Sequence, residues 1–295
     1  MTIKEKLKIW ALATRPKTLP AAAAPVIIGS AMALSAGKFH FLSASVALIG
    51  ALLIQIGTNF ANDYFDFIKG VDTEKRTGPM RVTQAGLIDP ETVKLAFILI
   101  FTIVFLLALY LFWRAGWVIL LIAFLSILCG VLYTGGPMPF GYIGLGDILV
   151  LIFFGPVAVG GTYYVQALHI DNIVLVAGLS PGFISMAILT VNNLRDIYTD
   201  RAAGKKTLAV RFGETFARME YLVSICIAGT IPFCLVFMTK EHYGSLVSGF
   251  IIFIALPLIK SVFFDEIGPG MNQLLAKTGK LLLIYSILFS IGWLL

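Results

Sequence analysis

Long apolar stretches recur along almost the whole chain, and they constrain its fold more than any other feature of the sequence. A helix that crosses a bilayer needs about 20 apolar residues, and nine stretches of this 295-residue chain reach about that length. Hydrophobic residues make up 59% of the chain, against roughly 45–50% in a soluble domain. Backbone polar groups find no water inside lipid, so such stretches cross it as helices. We therefore predict an all-α, polytopic membrane protein with one transmembrane domain over residues 1–295.

The apolar stretches predict nine spans. They cover residues 19–36, 41–68, 91–113, 116–134, 146–167, 173–199, 216–238, 243–264 and 276–295. Lys and Arg are concentrated in residues 1–18 and in loops 69–90 and 200–218, whereas the opposite face carries few. Because cytoplasmic loops are enriched in Lys and Arg, we expect the N-terminus on the cytoplasmic side of the cell membrane. The same bias explains the net charge of +6 without nucleic acid as a partner.

Two short polar segments, each at the predicted cytoplasmic end of a span, interrupt this apolar pattern; we call them island one and island two. Island one contains Asn62, Asp63 and Asp66 and is followed by Asp72, and island two contains Asn192, Arg195 and Asp196 and is followed by Asp200. The two islands repeat at an offset of 130 residues, since Asn62 corresponds to Asn192 and Asp66 to Asp196. A repeated half-site of this kind predicts two helices that face each other across one ligand.

The spacing within each island places its polar side chains together. Residues four apart share a helical face, so Asn62 lies with Asp66, and Asn192 with Asp196 and Asp200. Carboxylates gathered on one face near lipid are costly unless a cation lies between them. The histidines are predicted on the opposite side of the membrane and no cysteine is near, so only oxygen ligands are available, which favours Mg²⁺. The islands therefore predict a site for Mg²⁺ and a diphosphate.

Basic residues accompany both islands. Arg76 and Arg81 follow island one, Lys205 follows island two, and Arg195 lies inside island two. Lys and Arg supply positive charge to phosphate oxygens, although basic loops on a cytoplasmic face also arise as topology signals. Beside the acids, we expect Arg76, Arg81 and Lys205 to bind phosphate, and Arg195 to pair with the acids or with phosphate.

Aromatic residues lie on spans near the islands or in the next spans, among them Tyr64, Phe65, Tyr133 and Tyr163. An aromatic face attracts a cation, although each ring taken singly also fits packing or contact with lipid. Together the rings predict an apolar, aromatic cavity beneath the diphosphate site, which is what an allylic isoprenoid diphosphate requires.

Several stretches resemble the UbiA superfamily of intramembrane aromatic prenyltransferases. Asn62-Asp63-x-x-Asp66 with Asp72, and Asp196-x-x-x-Asp200, resemble its two aspartate motifs. The stretches RPKTL (15–19), KGVD (69–72), YTGGP (133–137) and GKKTLAV (204–210) are similar to the 1,4-dihydroxy-2-naphthoate polyprenyltransferases within that superfamily. The resemblance runs from about residue 10 to residue 213.

This resemblance implies a nine-span bundle around a central cavity that opens laterally to membrane lipid. It also implies transfer of a polyprenyl group from polyprenyl diphosphate to 1,4-dihydroxy-2-naphthoate, with loss of carbon dioxide and diphosphate, to give demethylmenaquinone for menaquinone synthesis. Mg²⁺ is the implied cofactor. The implied ligands of Mg²⁺ and diphosphate are Asn62, Asp66, Asp196 and Asp200, with Asp63 and Asp72 assisting and with Arg81 and Lys205 on the phosphate oxygens.

For the acceptor, the expectations rest on fewer residues. We expect Arg15 or Lys17 to receive its carboxylate, because both are basic and lie in the RPKTL stretch. Tyr133 is expected to contact substrate. If the reaction needs a general base, Asp63 or Asp72 is the candidate.

One loop departs from the pattern of related enzymes. Relatives that prenylate 4-hydroxybenzoate carry a basic residue shortly after the tyrosine equivalent to Tyr133, whereas residues 135–140 carry no charge here. Other acceptors therefore stay open, namely 4-hydroxybenzoate, homogentisate or a tetrapyrrole. An ion-coupled transporter is the alternative from a different class, and it predicts charges near the bilayer midplane. The acids here lie at predicted helix ends, which disfavours a transporter.

Overall fold

The computed structural model describes residues 2–71 and 77–295, and every regular element in those ranges is helical. The helices are α1 (Ile3–Ala13), α2 (Leu19–Ser35), α3 (Phe41–Ile68), α4 (Pro90–Ala115), α5 (Trp117–Leu132), α6 (Gly146–Ile152), α7 (Ala158–Ala167), α8 (Asn172–Arg195), α9 (Ile197–Ala202), α10 (Leu208–Phe212), α11 (Glu214–Thr239), α12 (Ile251–Phe264) and α13 (Met271–Leu294). A π-helical turn, Phe153–Val157, joins α6 to α7, and a 3₁₀ segment, Tyr243–Phe250, precedes α12.

The predicted architecture of nine spans is confirmed in outline. Eight segments of the described chain are long and apolar enough to cross a membrane, and α5 is apolar but shorter, at 16 residues. With α5 as the ninth span, the helices α2 to α13 form the predicted all-helical membrane bundle. Many large apolar side chains of α4 and α5 point outward, such as Leu106 and Phe124, as expected of surfaces that face lipid.

Two predicted span boundaries differ from the structure. The sixth span was expected to run through residue 199, but α8 ends at Arg195 and a separate short helix, α9, begins at Ile197. The residue between them, Asp196, leaves helical geometry and its carboxylate accepts hydrogen bonds from Arg195 and Thr77. The contact with Thr77 is made by tertiary structure, so the periodicity of the sequence could not show the break. The last helix begins at Met271, five residues before the predicted residue 276.

An additional helix, α1, precedes the first span. Thr2 and Glu5 form a reciprocal capping box at its start, which satisfies two backbone donors of the first turn. Trp10 of α1 packs against Phe60 of α3 with a ring-centroid distance of 5.4 Å. Helix α1 therefore lies against the end of α3 that carries island one, and the chain between α1 and α2 passes that same end.

Close packing of glycine and proline positions α6 and α7 against α8. Gly155 interrupts the helical dihedral angles at the π-helical turn, next to Pro156. A Cβ atom on Gly182 of α8 would lie 2.5 Å from the carbonyl oxygen of Leu151, and one on Gly178 would lie 2.7 Å from the Cα of Pro156. Small residues let backbones approach in this way in membrane bundles. This contact fixes the helix that carries island two against the span after α5.

The buried apolar side chains form two larger groups and a smaller third group, which joins α3, α4, α5 and α7. The larger group joins α2, α7, α8, α11 and α13, and includes Tyr221, Tyr285 and Phe289. The second joins α1, α3 and α4 through Phe60, Phe97 and their neighbours. Island one lies on α3, a helix of the second group, and island two lies on α8, a helix of the first.

Candidate active site

A cavity of about 710 Å³ runs through the bundle, and both islands line it. Along α3 its walls extend from Asp66 at one end to Val46 at the other. These residues are 20 positions apart, which is about 30 Å along a helix and close to the thickness of the hydrocarbon core of a bilayer. The charged side chains of the lining are confined to one end, and the far end is formed mainly by apolar side chains such as Leu107, Leu111 and Ile119. The cavity is therefore a long apolar channel with a charged mouth.

Island one contributes a carboxylate that is held from two sides. Asp66 is only 1% exposed, and its Oδ2 accepts a hydrogen bond from the Arg81 guanidinium at 2.7 Å. Its Oδ1 accepts a second hydrogen bond from the Tyr142 hydroxyl at 2.6 Å. One turn earlier, the Asn62 side-chain oxygen accepts from the Thr134 hydroxyl at 2.8 Å. Asn62, Asp66, Arg81 and Tyr142 all line the cavity.

Island two is organised by a buried arginine. Arg195 is 2% exposed and forms an ion pair with Asp196. It also donates to the side-chain oxygens of Asn192, at 2.8 Å, and of Asn272 on α13, at 2.7 Å. Asn192 and Asp196 line the cavity, whereas Arg195 is not among the lining residues. Arg195 thus orients the cavity-lining groups of island two from behind.

Asp200 completes island two on the short helix α9. Its carboxylate pairs with Lys205 at 3.4 Å, and both residues line the cavity. Burial raises the pKa of the Asp200 carboxyl above its ordinary value, the nearby charge of Lys205 opposes this rise, and the charges of Asp196 and Asp66 add to it. The carboxylates of both islands are therefore close enough to influence one another, as two half-sites of one centre must be.

The loop between α5 and α6 joins the two islands. Lys69, which follows α3, donates to the backbone oxygens of Thr134 at 2.6 Å and of Gly136 at 2.9 Å. Burial lowers the pKa of Lys69, and the charge of Asp66 opposes that change. The ring of Tyr142 lies 5.2 Å from the Lys69 Nζ and 4.7 Å from the Lys205 Nζ. This loop therefore contacts basic residues that belong to both halves of the site.

The predicted site residues divide into three groups. The cavity lining includes Arg15, Asn62, Asp66, Arg81, Tyr133, Asn192, Asp196, Asp200 and Lys205. The second group does not line the cavity and consists of Asp63, Arg195 and Lys17. Asp63 is buried and accepts hydrogen bonds from the Val82 amide at 3.2 Å and from the Thr83 hydroxyl. Lys17 is exposed. Asp72 and Arg76 lie outside the described residues.

Sequence reasoning missed several residues that contact the islands. Thr77 donates to Asp196, Asn272 accepts from Arg195, Thr134 donates to Asn62, and Tyr142 donates to Asp66. Each comes from a loop or helix distant in sequence from its partner, so no local pattern indicated it. Tyr142 lies in the uncharged loop between α5 and α6. A pattern built from charged residues therefore does not include it.

The side-chain oxygen atoms at the mouth are candidate ligands of Mg²⁺. Among the described residues, no three carboxylate, histidine or cysteine side chains converge as a metal-binding group. The mouth instead presents amide and carboxylate oxygens around one end of the cavity, from Asn62, Asp66, Asn192, Asp196 and Asp200. Mg²⁺ binds through one or two carboxylates together with substrate phosphates and waters. These residues therefore fit Mg²⁺ held jointly with a phosphate, and they do not form a closed protein cage.

A second polar band lies next to the mouth. Gln55 and Asn59 of α3 each donate to the Thr18 hydroxyl at 3.2 Å, and Asn59 also donates to the Thr14 carbonyl at 3.0 Å. Arg15 adopts a left-handed backbone conformation, with φ of 51°, and lines the cavity with Thr18, Gln55 and Asn59. This band offers a positive charge from Arg15, together with amide groups about two to three turns along α3 from Asp66.

Comparison with known proteins shows the family to which the chain belongs. Residues 22–270 match the UbiA prenyltransferase family. The chain belongs to this family. The 1,4-dihydroxy-2-naphthoate octaprenyltransferase of Haemophilus influenzae is 36% identical over 310 residues, covering 99% of this chain and 98% of the relative. The enzyme of the same name from Escherichia coli is 38% identical, with 97% and 95% covered.

A solved UbiA structure has the same fold. The UbiA homolog from Archaeoglobus fulgidus bound to DMAPP and Mg²⁺ superposes with a TM-score of 0.68 at 16% identity, covering 97% of this chain and 98% of that one. At this level of identity the likeness concerns the fold. This UbiA prenyltransferase is thus a multi-pass membrane protein whose two islands meet at the mouth of a channel through the UbiA fold.

Proposed function

We propose that this UbiA prenyltransferase transfers a polyprenyl group from polyprenyl diphosphate to 1,4-dihydroxy-2-naphthoate, with loss of carbon dioxide and diphosphate, giving demethylmenaquinone in menaquinone synthesis. One observation carries the proposal: acidic and basic residues of both islands and their loops line one end of a channel whose remaining walls are uncharged and mainly apolar. A charged mouth suits a diphosphate and an apolar channel suits its isoprenoid chain. The names of relatives that share 36–38% identity over nearly the whole chain support this acceptor.

The diphosphate belongs at the mouth, on the cytoplasmic side of the cell membrane. Asn62, Asp66, Asn192, Asp196 and Asp200 are the residues that would hold Mg²⁺ with the diphosphate. When bound, Mg²⁺ neutralises the diphosphate and makes it a better leaving group. The enrichment of Lys and Arg in the loops around the mouth and in the N-terminal residues supports the cytoplasmic orientation.

Basic side chains at the mouth bind the phosphate oxygens. Arg81 and Lys205 line the cavity, and each is paired with an island carboxylate. Arg76 and Asp72 belong to the same proposal through the sequence of island one and its loop. Charges placed in advance around the leaving group stabilise it as the bond to carbon breaks, at no cost of reorganisation.

The channel carries the isoprenoid chain and excludes water from the reacting carbon. Its walls near the mouth include Tyr133, whose ring fits between Gly141 and Gly146: a Cβ atom on either glycine would lie 2.9 Å from Tyr133. The aromatic face is held at the boundary between the charged mouth and the apolar walls. An allylic cation formed there is attracted to the ring face and is protected from water.

The acceptor fits the polar band beside the mouth. In this proposal Arg15 receives its carboxylate, and Gln55, Asn59 and Thr18 contact its hydroxyl groups. All four residues line the cavity. Lys17 is exposed, so we assign it to the entrance. An electron-rich ring held in this band lies next to the carbon that leaves the diphosphate, which is the arrangement that carbon–carbon bond formation requires.

Asp63 has a different role in this proposal from the one its motif implies. Its carboxylate holds the Val82 amide and the Thr83 hydroxyl, directly after Arg81. We therefore assign Asp63 to positioning the segment that carries Arg81. Asp72 is left as the candidate general base.

The test is an assay of the purified protein with Mg²⁺, a short prenyl diphosphate and 1,4-dihydroxy-2-naphthoate, analysed by mass spectrometry. The product expected is the prenylated naphthoquinol without the carboxyl group. Parallel reactions with 4-hydroxybenzoate and homogentisate test the alternative acceptors. Asp66→Ala and Asp196→Ala should abolish turnover while the protein stays folded in detergent, whereas the exposed Asp265→Ala serves as the matched control. Normal turnover by Asp66→Ala or Asp196→Ala would remove the proposal.

A further inference from the structure

We propose that Tyr142 is a positioning residue that couples the two halves of the diphosphate site. The inference rests on the proposed function, because it assigns a role within that same site. Tyr142 lies in the loop between α5 and α6, which carries no charged residue between positions 134 and 146. It lines the cavity at the mouth, between the residues of island one and those that follow island two.

The hydroxyl of Tyr142 acts on island one. It donates a hydrogen bond of 2.6 Å to Oδ1 of Asp66, while Arg81 binds the other carboxylate oxygen at 2.7 Å. Two donors on opposite oxygens fix the rotation of the carboxylate plane. Each oxygen keeps a further lone pair for a ligand in the cavity. Asp66 is therefore held ready to bind in one orientation.

The ring of Tyr142 acts on the lysines of both halves. The Lys69 Nζ lies 5.2 Å from the ring centroid and the Lys205 Nζ lies 4.7 Å from it, both within the range of a cation–π contact. Lys205 also pairs with Asp200 at 3.4 Å. One side chain thus contacts a carboxylate of island one and an ammonium group of the loop after island two.

The backbone around Tyr142 keeps it in this place. The Lys206 amide donates to the Tyr142 carbonyl at 2.7 Å, and the Arg211 guanidinium donates to the Ile143 carbonyl at 2.9 Å. A Cβ atom on Gly144 would lie 2.9 Å from the Lys206 carbonyl oxygen, and Gly144 has a φ of +79°. Glycine at this position therefore lets the loop press against the chain after island two, which anchors Tyr142 to the second half.

The geometry gives Tyr142 a defined effect on binding. A diphosphate must engage carboxylates of both islands through Mg²⁺ and the ammonium group of Lys205 at the same time. Tyr142 sets the spacing between Asp66 and Lys205 before the ligand arrives, and preorganised groups bind more tightly because less order is lost on binding. The acceptor contacts none of these groups in the proposed arrangement. Loss of Tyr142 should therefore weaken diphosphate binding and leave acceptor binding unchanged.

The experiment compares Tyr142→Phe and Tyr142→Leu with the wild-type protein. Tyr142→Phe removes the hydroxyl that donates to Asp66 and keeps the ring, whereas Tyr142→Leu removes both. Calorimetric titration of the full-length protein with inorganic diphosphate in Mg²⁺ buffer measures binding without turnover. We expect Tyr142→Phe to raise the Kd roughly tenfold, as for loss of a hydrogen bond to a charged group, and Tyr142→Leu to raise it further. In kinetics, the KM for the prenyl diphosphate should rise while the KM for the acceptor does not.

A matched control removes a tyrosine hydroxyl far from the mouth. The Tyr164 hydroxyl donates to the Ala115 carbonyl at 2.9 Å, so Tyr164→Phe loses a hydrogen bond without changing the site. Melting temperatures in detergent check the fold, and Tyr142→Phe preserves the shape of the side chain if Tyr142→Leu does not fold. Wild-type affinity for diphosphate in Tyr142→Phe and Tyr142→Leu, or equal rises in both KM values, would overturn the assignment.

The outcomes also separate this inference from the proposed function. Diphosphate binding that depends on Tyr142, without prenylation of the naphthoate or any other aromatic acceptor, would support the role of Tyr142 and overturn the proposed function. Prenyl transfer to the naphthoate, with an affinity for diphosphate that does not change when Tyr142 is replaced, would support the proposed function and overturn the role of Tyr142. A wild-type protein that does not bind inorganic diphosphate in Mg²⁺ would overturn both.

Discussion

The channel makes the substitution Gly50→Phe a direct test of where the isoprenoid chain lies. Gly50 lines the channel on α3, and a Cβ atom added to it would meet no atom within 4 Å. It lies 16 residues from Asp66, which corresponds to about 24 Å along the helix. An extended chain spans roughly 3.5 Å for every three backbone atoms, so a four-atom isoprene repeat covers about 4.5 Å. About five repeats therefore fit between the mouth and Gly50.

A phenyl ring at position 50 should discriminate between prenyl donors by length. A farnesyl chain, with three repeats, ends before Gly50, whereas an octaprenyl chain must pass it. Forcing extra bulk into a packed space costs about 1–3 kcal/mol, so kcat/KM for the octaprenyl donor should fall by roughly 5- to 150-fold. The farnesyl donor should react at the wild-type rate. Competition between the two donors in one reaction, with products separated by mass, measures the ratio directly.

The control for this test is Gly50→Ala, which adds one methyl group to open space. Alanine is favoured over glycine inside a helix by up to about 1 kcal/mol, so this variant should be at least as stable as wild type and keep both activities. Equal losses for the two donors with Gly50→Phe would show that the ring disturbs the mouth. No loss for the octaprenyl donor would show that the isoprenoid chain leaves the channel before Gly50, and a path along α3 past Gly50 would be wrong.

Three further predictions concern the mouth. Arg81→Met should lower the free energy of unfolding by about 3–5 kcal/mol, because it leaves the buried Asp66 carboxylate without this partner. The double variant that combines Arg81→Met with Asp66→Asn should regain most of that loss in thermal melts. Asp63→Asn should lower the free energy of unfolding by about 1–3 kcal/mol. It should also reduce the affinity for the prenyl diphosphate, because the segment that carries Arg81 is held less firmly. A change confined to kcat would instead support a role of Asp63 as a base. Mg²⁺ should bind much more tightly in the presence of inorganic diphosphate than alone, as calorimetry can show, and equal affinity in both conditions would contradict a jointly held ion.

The sequence predicted the elements of the site better than their contacts. Spans follow from the length of apolar stretches, and the shared faces of Asn62 with Asp66 and of Asn192 with Asp196 follow from helical periodicity. The structure brings both pairs to one cavity. The helix break at Asp196 was not predictable, because Thr77, which donates to that carboxylate, is 119 residues away in sequence. Local rules apply within a turn or two of helix, and the break depends on a contact far beyond that range.

Asp63 and Arg195 show a second limit of reasoning from sequence. Both lie in islands of functional residues, and residue type alone gives each a chemical role. In the structure, however, Asp63 binds the Val82 amide and Arg195 binds Asn192 and Asn272, and neither lines the cavity. Periodicity shows which residues share a face, and it does not show which of the neighbouring faces meets the ligand. Those two residues support the site from behind the cavity wall.

The charge pattern at the mouth explains why Mg²⁺ and diphosphate should bind as a unit. Among the described residues, Asp66 is paired with Arg81, Asp196 with Arg195, and Asp200 with Lys205. A divalent cation arriving alone would meet carboxylates already neutralised, and a diphosphate arriving alone would meet bases already neutralised by carboxylates. When the two ligands arrive together, the cation can bind a carboxylate and the diphosphate can bind the base that was paired with it, so no buried charge loses its counter-charge. By linkage, each ligand then raises the affinity of the site for the other ligand by the same factor. The apolar channel behind the mouth is filled only when the diphosphate carries its isoprenoid chain.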